Sequence, residues 1–194
     1  MNFNLPFIPE RPNKPRKEGI SMIMDKGLSL RESENLIASS GHLIDYIKLG
    51  FGTSVVTPDL KEKIKLFQQN NITPYFGGTL FEAYVARDIR DEYKRVLDKF
   101  GLTALEISDG SIVVDHDEKL KWINEYAKDF TVLSEVGSKQ EGIIIAPNKW
   151  INMMDTELEA GSEIVIAEAR ESGNVGIYRP NGNAHVTLVN KIIS

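Results

Sequence analysis

The chain contains no cysteine, and only three of its 194 residues are histidines (His42, His116 and His185). Disulfides, thiolate catalysis and Cys-ligated zinc are therefore excluded, and a His-rich metal site is excluded with them. No apolar run approaches the ~20 residues that a membrane-spanning helix needs. The amino terminus, Met1-Asn2-Phe3-Asn4-Leu5-Pro6, lacks a basic segment followed by an apolar one, so a soluble, cytoplasmic protein is expected. Basic residues are not in excess either. The 23 Lys and Arg face 28 Asp and Glu, a net charge of −5, which argues against nucleic acid or an anionic membrane surface as a partner. Hydrophobic residues make up 41% of the chain, enough at this length to bury the core of one large domain or two small ones.

Residues 1–18 read as an arm. Four of the eight prolines fall between Pro6 and Arg16, and so many fixed φ angles and missing donors suit neither a helix interior nor a central strand. From residue 19 to 194 short apolar runs alternate with amphipathic segments. Strands are expected at 20–24, 46–50, 72–76, 103–108, 132–136 and 163–167. Helices are expected from Ser29, whose Glu32 three residues on completes a capping box, to about Leu43, from Thr57 through Phe67, and from about Leu80 to Phe100 with Gly101 as C-cap. Further helices are expected over 115–129, 147–160 and 185–193.

This rhythm implies a parallel sheet buried on both faces, either doubly wound or closed as a TIM (β/α)8-type barrel. Neither GxGxxG nor GxxxxGK[ST] follows the first strand, and charges recur where strands end, which favours the barrel. The strand-end positions hold Asp25 and Lys26, Lys48 and Thr53, Glu106 and Asp109, Glu135 and Lys139, and Glu168, Arg170 and Glu171. Glu106, Glu135 and Glu168 hold matching places in three consecutive units, so they could converge on one hard cation, and an all-oxygen donor set suits Mg2+ better than zinc. The competing reading is that each glutamate pairs with a Lys or Arg at the barrel rim. Lys48, Lys139 and Arg170 supply the cations that an anionic substrate requires. Gly50-Phe51-Gly52-Thr53-Ser54 forms a turn able to offer N–H groups and hydroxyls to an oxyanion, or simply to join strand to helix.

Several segments together resemble the phosphosulfolactate synthases. They are Lys14-Pro15-Arg16, Met24-Asp25-Lys26-Gly27-Leu28, Tyr46-Ile47-Lys48-Leu49-Gly50-Phe51-Gly52-Thr53-Ser54 and Pro74-Tyr75-Phe76-Gly77-Gly78-Thr79. Glu106-Ile107-Ser108-Asp109-Gly110, Glu135-Val136-Gly137-Ser138-Lys139 and Glu168-Ala169-Arg170-Glu171-Ser172-Gly173 complete the set, in the family's order. The resemblance implies a (β/α)8 barrel that adds sulfite to phosphoenolpyruvate with Mg2+, giving (2R)-phospho-3-sulfolactate. That step begins coenzyme M biosynthesis in methanogens and leads to sulfolactate in some bacteria. A plant branch associated with heat stress has no established synthase role, so a non-catalytic or stress-associated barrel relative is the alternative.

The family runs on for roughly two further strand–helix units, so about six of the eight units are expected within these residues. On this resemblance Glu106, Glu135 and Glu168 hold the metal, with Asp109 helping to orient it. Lys139 donates a proton to the substrate carbon, and Lys48 and Arg170 are the catalytic cations beside it. Arg16, Lys26 and Thr53 bind the anionic substrates, phosphoenolpyruvate and sulfite. A homo-oligomer is also implied.

Overall fold

The structure, a computed structural model, describes residues 5–138, 145–169 and 172–193. Six parallel strands run through it: β1 (Met22–Asp25), β2 (Tyr46–Leu49), β3 (Thr73–Phe76), β4 (Ala104–Ile107), β5 (Thr131–Val136) and β6 (Ile164–Ala167). They form two three-stranded sheets, β1-β2-β3 and β4-β5-β6, with β3 and β4 lying against one another between them. The spatial order follows the chain with no reversal. A doubly wound sheet would reverse at a switch point, so this order is that of a barrel wall. Among the described residues neither β1 nor β6 has a second strand partner.

The helices are α1 (Leu30–Ser40), α2 (Thr53–Val56), α3 (Leu60–Gln69), α4 (Gly78–Val85), α5 (Arg90–Phe100), α6 (His116–Tyr126), α7 (Pro147–Glu159) and α8 (Val186–Ile192). The capping box of α1 forms as expected, with Ser29 accepting from the Glu32 N–H and Glu32 accepting from the Ser29 N–H at 2.8 Å. Gly101, at φ 66°, closes α5. The expected helix from Leu80 to Phe100 is two helices instead. The chain leaves α4 at Ala86, and Asp88 adopts a left-handed φ of 56°, which helical backbone does not tolerate. No helix among the described residues is long and apolar enough to cross a membrane.

Strand side chains alternate between two apolar environments. Tyr75, Ala104 and Leu133, with Tyr46, Ile164 and Ile166 against them, fill the inner side. Phe76, Leu105 and Ile107 lie in a larger cluster under the helices with Phe81, Tyr93 and Trp122. Counting by twos from the inner residues reaches Lys48 from Tyr46, Glu106 from Ala104, Glu135 from Leu133 and Glu168 from Ile166. The same period that builds the core therefore aims these four charges at the C-terminal mouth.

The proline-rich arm lies across the opposite end. Lys14 Nζ donates to the Gly41 and Asn71 carbonyls, both at 3.0 Å. Arg16 pairs with Asp45 at 3.1 Å and donates to the His42 carbonyl, while Arg11 reaches Asp45 at 3.4 Å. Asp45 directly precedes β2, so these contacts belong to the N-terminal face of the strands, the face that contributes stability in such barrels.

Candidate active site

Lys48 is the centre of the mouth. Its ammonium donates to Glu106 Oε1 at 2.7 Å and lies 3.5 Å from Glu135 Oε2. Glu106 is fully buried, and its Oε1 accepts a second hydrogen bond from the Gly78 N–H at 2.8 Å. Burial pushes the Glu106 carboxyl above the ordinary range, Lys48 pulls it down, and the neighbouring Glu135 pushes it up again. Beneath them the Tyr75 phenol is buried among the inner residues. Its pKa is raised by burial and further by the Glu106 charge.

The Gly77-Gly78 pair makes this packing possible. A Cβ on Gly77 would stand 2.9 Å from the Lys48 stem, and one on Gly78 would stand 2.8 Å from Glu106 Oε1 and closer still to Ser108. Glycine allows backbone to approach a side chain this nearly. Neither glycine was singled out for a role in the sequence, although both stand in the Pro74–Thr79 segment. Tyr75, Ser108 and Glu82 were likewise missed. Glu82 accepts from the Ser108 hydroxyl and, at 3.0 Å, from the Ser111 N–H, so it holds the loop that follows β4.

A cavity of about 490 Å3 opens on this cluster, and Lys48, Glu135 and Glu168 line it together with Met24, Phe51 and Thr79. Glu168 stands just beyond β6, 2% exposed. Gly137 is required opposite it. Its φ is 136°, and a Cβ there would run into the Glu168 Cβ and lie 2.9 Å from the Trp150 ring.

The three glutamates do not face one another. In the β4–β5 register Glu106 lies beside Leu133, and in the β5–β6 register Glu135 lies beside Ile166. Each successive glutamate is thus displaced by two residues, about 6.6 Å, along the strand direction. Accordingly, no group of three or more His, Asp or Glu residues among those described is placed to hold a metal ion. The rim-pairing alternative describes Glu106 and Glu135 in this state, since Lys48 serves both.

The remaining expected residues divide clearly. Lys26 is exposed on the loop after β1, at the same end as the mouth. The Thr53 hydroxyl donates to the Gly50 carbonyl at 2.6 Å and so closes the Gly50–Thr53 turn, which borders the cavity through Gly50 and Phe51. Asp109 is not brought to the glutamates. It is bound at 2.9 Å by Lys119, which reaches it from the outer helix layer. Arg16 is at the wrong end for a substrate in the mouth, because Asp45 and the His42 carbonyl hold it at the N-terminal face. Lys139 and Arg170 lie outside the described residues.

Residues 9–194 match the family described as (2R)-phospho-3-sulfolactate synthase (ComA). The phosphosulfolactate synthase of Bacillus subtilis is 41% identical over 189 residues, covering 96% of this chain and 75% of that protein. This chain belongs to the phosphosulfolactate synthase family. Its relative from Methanothermobacter thermautotrophicus, also named phosphosulfolactate synthase, is 39% identical over 182 residues, covering 90% of this chain and 70% of its own length. A solved 3-hexulose-6-phosphate synthase superposes with a TM-score of 0.53 at 15% identity, covering 88% of this chain and 72% of that one. That likeness concerns the fold alone, an α/β barrel type. Among the described residues, Lys48, Glu106, Glu135 and Glu168 are charges that this chain directs to its mouth.

Proposed function

We propose that this phosphosulfolactate synthase family member catalyses the Mg2+-dependent addition of sulfite to phosphoenolpyruvate, giving (2R)-phospho-3-sulfolactate. The observation that carries the reading is Lys48 set at one cavity with Glu135 and Glu168, in a chain whose relatives carry that activity in their names. In this reaction the sulfite lone pair forms a C–S bond to the methylene carbon of the enol phosphate. The π electrons move toward the carboxylate, and the adjacent carbon then accepts a proton.

Charge balance supports the metal requirement. Among the described residues the mouth carries three carboxylates, Glu106, Glu135 and Glu168, beside the ammonium of Lys48, so a divalent cation there would offset the repulsion of two anionic substrates. Mg2+ is commonly held by one or two carboxylates, with waters and substrate oxygens completing its shell. Glu135 and Glu168, which line the same cavity, fit that role, whereas Glu106 is engaged by Lys48 and Gly78. The bound ion would supply Lewis-acid stabilisation of the negative charge that develops on the substrate carboxylate.

The chain's own residues do the rest. Lys48, oriented by two carboxylates, offers a fixed ammonium to a substrate anion. Lys139, two residues after Gly137 in the sequence, protonates the carbon and sets its configuration. Arg170 and Lys26 supply further positive charge for phosphate and sulfite. In the Gly50–Thr53 turn the Gly50 and Thr53 N–H groups are taken by the Asp25 and Gly50 carbonyls, which leaves those of Phe51 and Gly52 for an anion. Small anionic substrates follow from this charge set, and we place the protein in the cytoplasm as a homo-oligomer.

The test is a coupled assay with phosphoenolpyruvate, sulfite and Mg2+, with the product identified by mass and chirality. Formation of sulfite-dependent product that EDTA abolishes and Mg2+ restores is expected. Absence of such product from correctly folded protein overturns the proposal and leaves a non-catalytic barrel relative. Lys139→Ala should retain substrate binding and lose turnover, and undiminished turnover would remove the proton-donor role.

A further inference from the structure

Behind β5, on the side facing the helices, lies a buried polar cluster that the reaction scheme does not use. Lys119 on α6 is 0% exposed, and its ammonium makes three contacts. It reaches Glu157 Oε1 on α7 at 2.7 Å, Asp109 Oδ1 after β4 at 2.9 Å, and the backbone carbonyl of Glu135 at 2.7 Å. Glu157 is also 0% exposed. Nearby, the Ser162 hydroxyl donates to the Ser134 hydroxyl at 2.8 Å, on the outward-facing residue next to Glu135.

Such a cluster is a poor source of stability. Desolvating an ammonium and a carboxylate offsets most of their attraction, and apolar residues of similar volume commonly serve as well or better. What it does provide is a direction. The contact to Glu135 is made to the peptide carbonyl, and the Glu135 side chain points the opposite way, toward Lys48 and the cavity. The ammonium also ties the end of β5 to the loop after β4, because Asp109 and the Glu135 carbonyl share it. A small rotation of that peptide would swing the carboxylate away from Lys48.

We infer that Lys119, held by Glu157 and Asp109, is a positioning residue that fixes the Glu135 peptide and so aims the Glu135 carboxylate into the active site. Asp109 thereby acquires a role as part of this strut instead of as a group near the metal. The inference rests on the synthase reading for its effect on rate, but not for its effect on geometry.

The test replaces the ion pair by a volume-matched apolar pair, Lys119→Met with Glu157→Met, in the full chain. Asp109 remains partly exposed, so water can solvate it once Lys119 is gone. The double variant should fold with a Tm at or above that of the parent. Its kcat should fall by about 10- to 100-fold, with the KM for phosphoenolpyruvate much less affected. Its crystal structure should show the Glu135 carboxylate displaced from Lys48. A parental kcat, or a Glu135 side chain unmoved in that structure, overturns the inference. Failure of the double variant to fold overturns it as well, because the cluster would then supply stability and not direction. If the parent itself forms no sulfite-dependent product, the synthase reading falls, and the Glu135 position in the two crystal structures still decides this one.

Discussion

The ammonium of Lys48 on β2 and the carboxylate of Glu106 on β4 meet at 2.7 Å across the end of β3. Two non-adjacent strands are thus joined inside the barrel by a pair whose carboxylate has no access to solvent. Removing the lysine alone would strand that carboxylate. We expect Lys48→Met to destabilise the fold by about 3–5 kcal/mol, and the double variant Lys48→Met, Glu106→Gln to recover more than half of that loss. Urea unfolding of the two variants checks it, and equal stabilities for both would contradict the pairing.

Glu157 gives the protein a pH signature. Burial pushes its carboxyl above the ordinary value of 4.5, outweighing the opposing pull of Lys119. Between the unfolded and folded values the native state binds more protons than the unfolded one, so this group's contribution to stability declines as pH rises through that window. Glu157→Gln cannot titrate. The stability of the variant relative to the parent should therefore improve as pH rises from 4.5 through the folded value and level off above it, measured by thermal unfolding in matched buffers.

Gly78 allows a backbone N–H to reach Glu106, and any side chain there collides with Ser108 and the carboxylate. Gly78→Ala should cost about 1–3 kcal/mol through overpacking. Because Glu106 and Lys48 must shift to admit the methyl, turnover should fall more than substrate affinity does. Steady-state kinetics beside a Tm measurement separates the two effects.

Arg16 tests which end of the barrel is functional. It is paired with Asp45 beneath the strands, with its side chain 3% exposed. Arg16→Ala should lower stability by about 1–3 kcal/mol, because Asp45 loses an ion-pair partner and the His42 carbonyl a charged donor. The KM values for phosphoenolpyruvate and sulfite should not change. A large rise in either KM at unchanged stability would return Arg16 to the substrate site.

Local pattern sufficed for much of this molecule. The six strands, the Ser29–Glu32 capping box and the Gly101 C-cap all depend on residues within a few positions of one another, and each appears where the pattern puts it. The break at Asp88 was not legible, because the apolar spacing on both sides of it reads as one continuous helix. The choice of Lys48, Glu106, Glu135 and Glu168 as mouth residues was also within reach, since each stands two residues beyond an inward-facing core position.

By itself the sequence determined the strand–helix alternation, the absence of thiol or His-rich metal chemistry, and which residue types gather where strands end. Only the tertiary structure decided which of those charges meet. Register sets Glu106 beside Leu133 and Glu135 beside Ile166, so glutamates in matching places along the chain are stepped by two residues from strand to strand, and Lys48 bridges Glu106 and Glu135. Asp109 and Arg16 lie near the mouth residues in a family motif or by chemical type, yet one is bound from behind by Lys119 and the other is held at the opposite face by Asp45. The reason is that side-chain parity is a property of a few consecutive residues. Register and the choice of ionic partner are set between segments tens of residues apart, which only packing brings together.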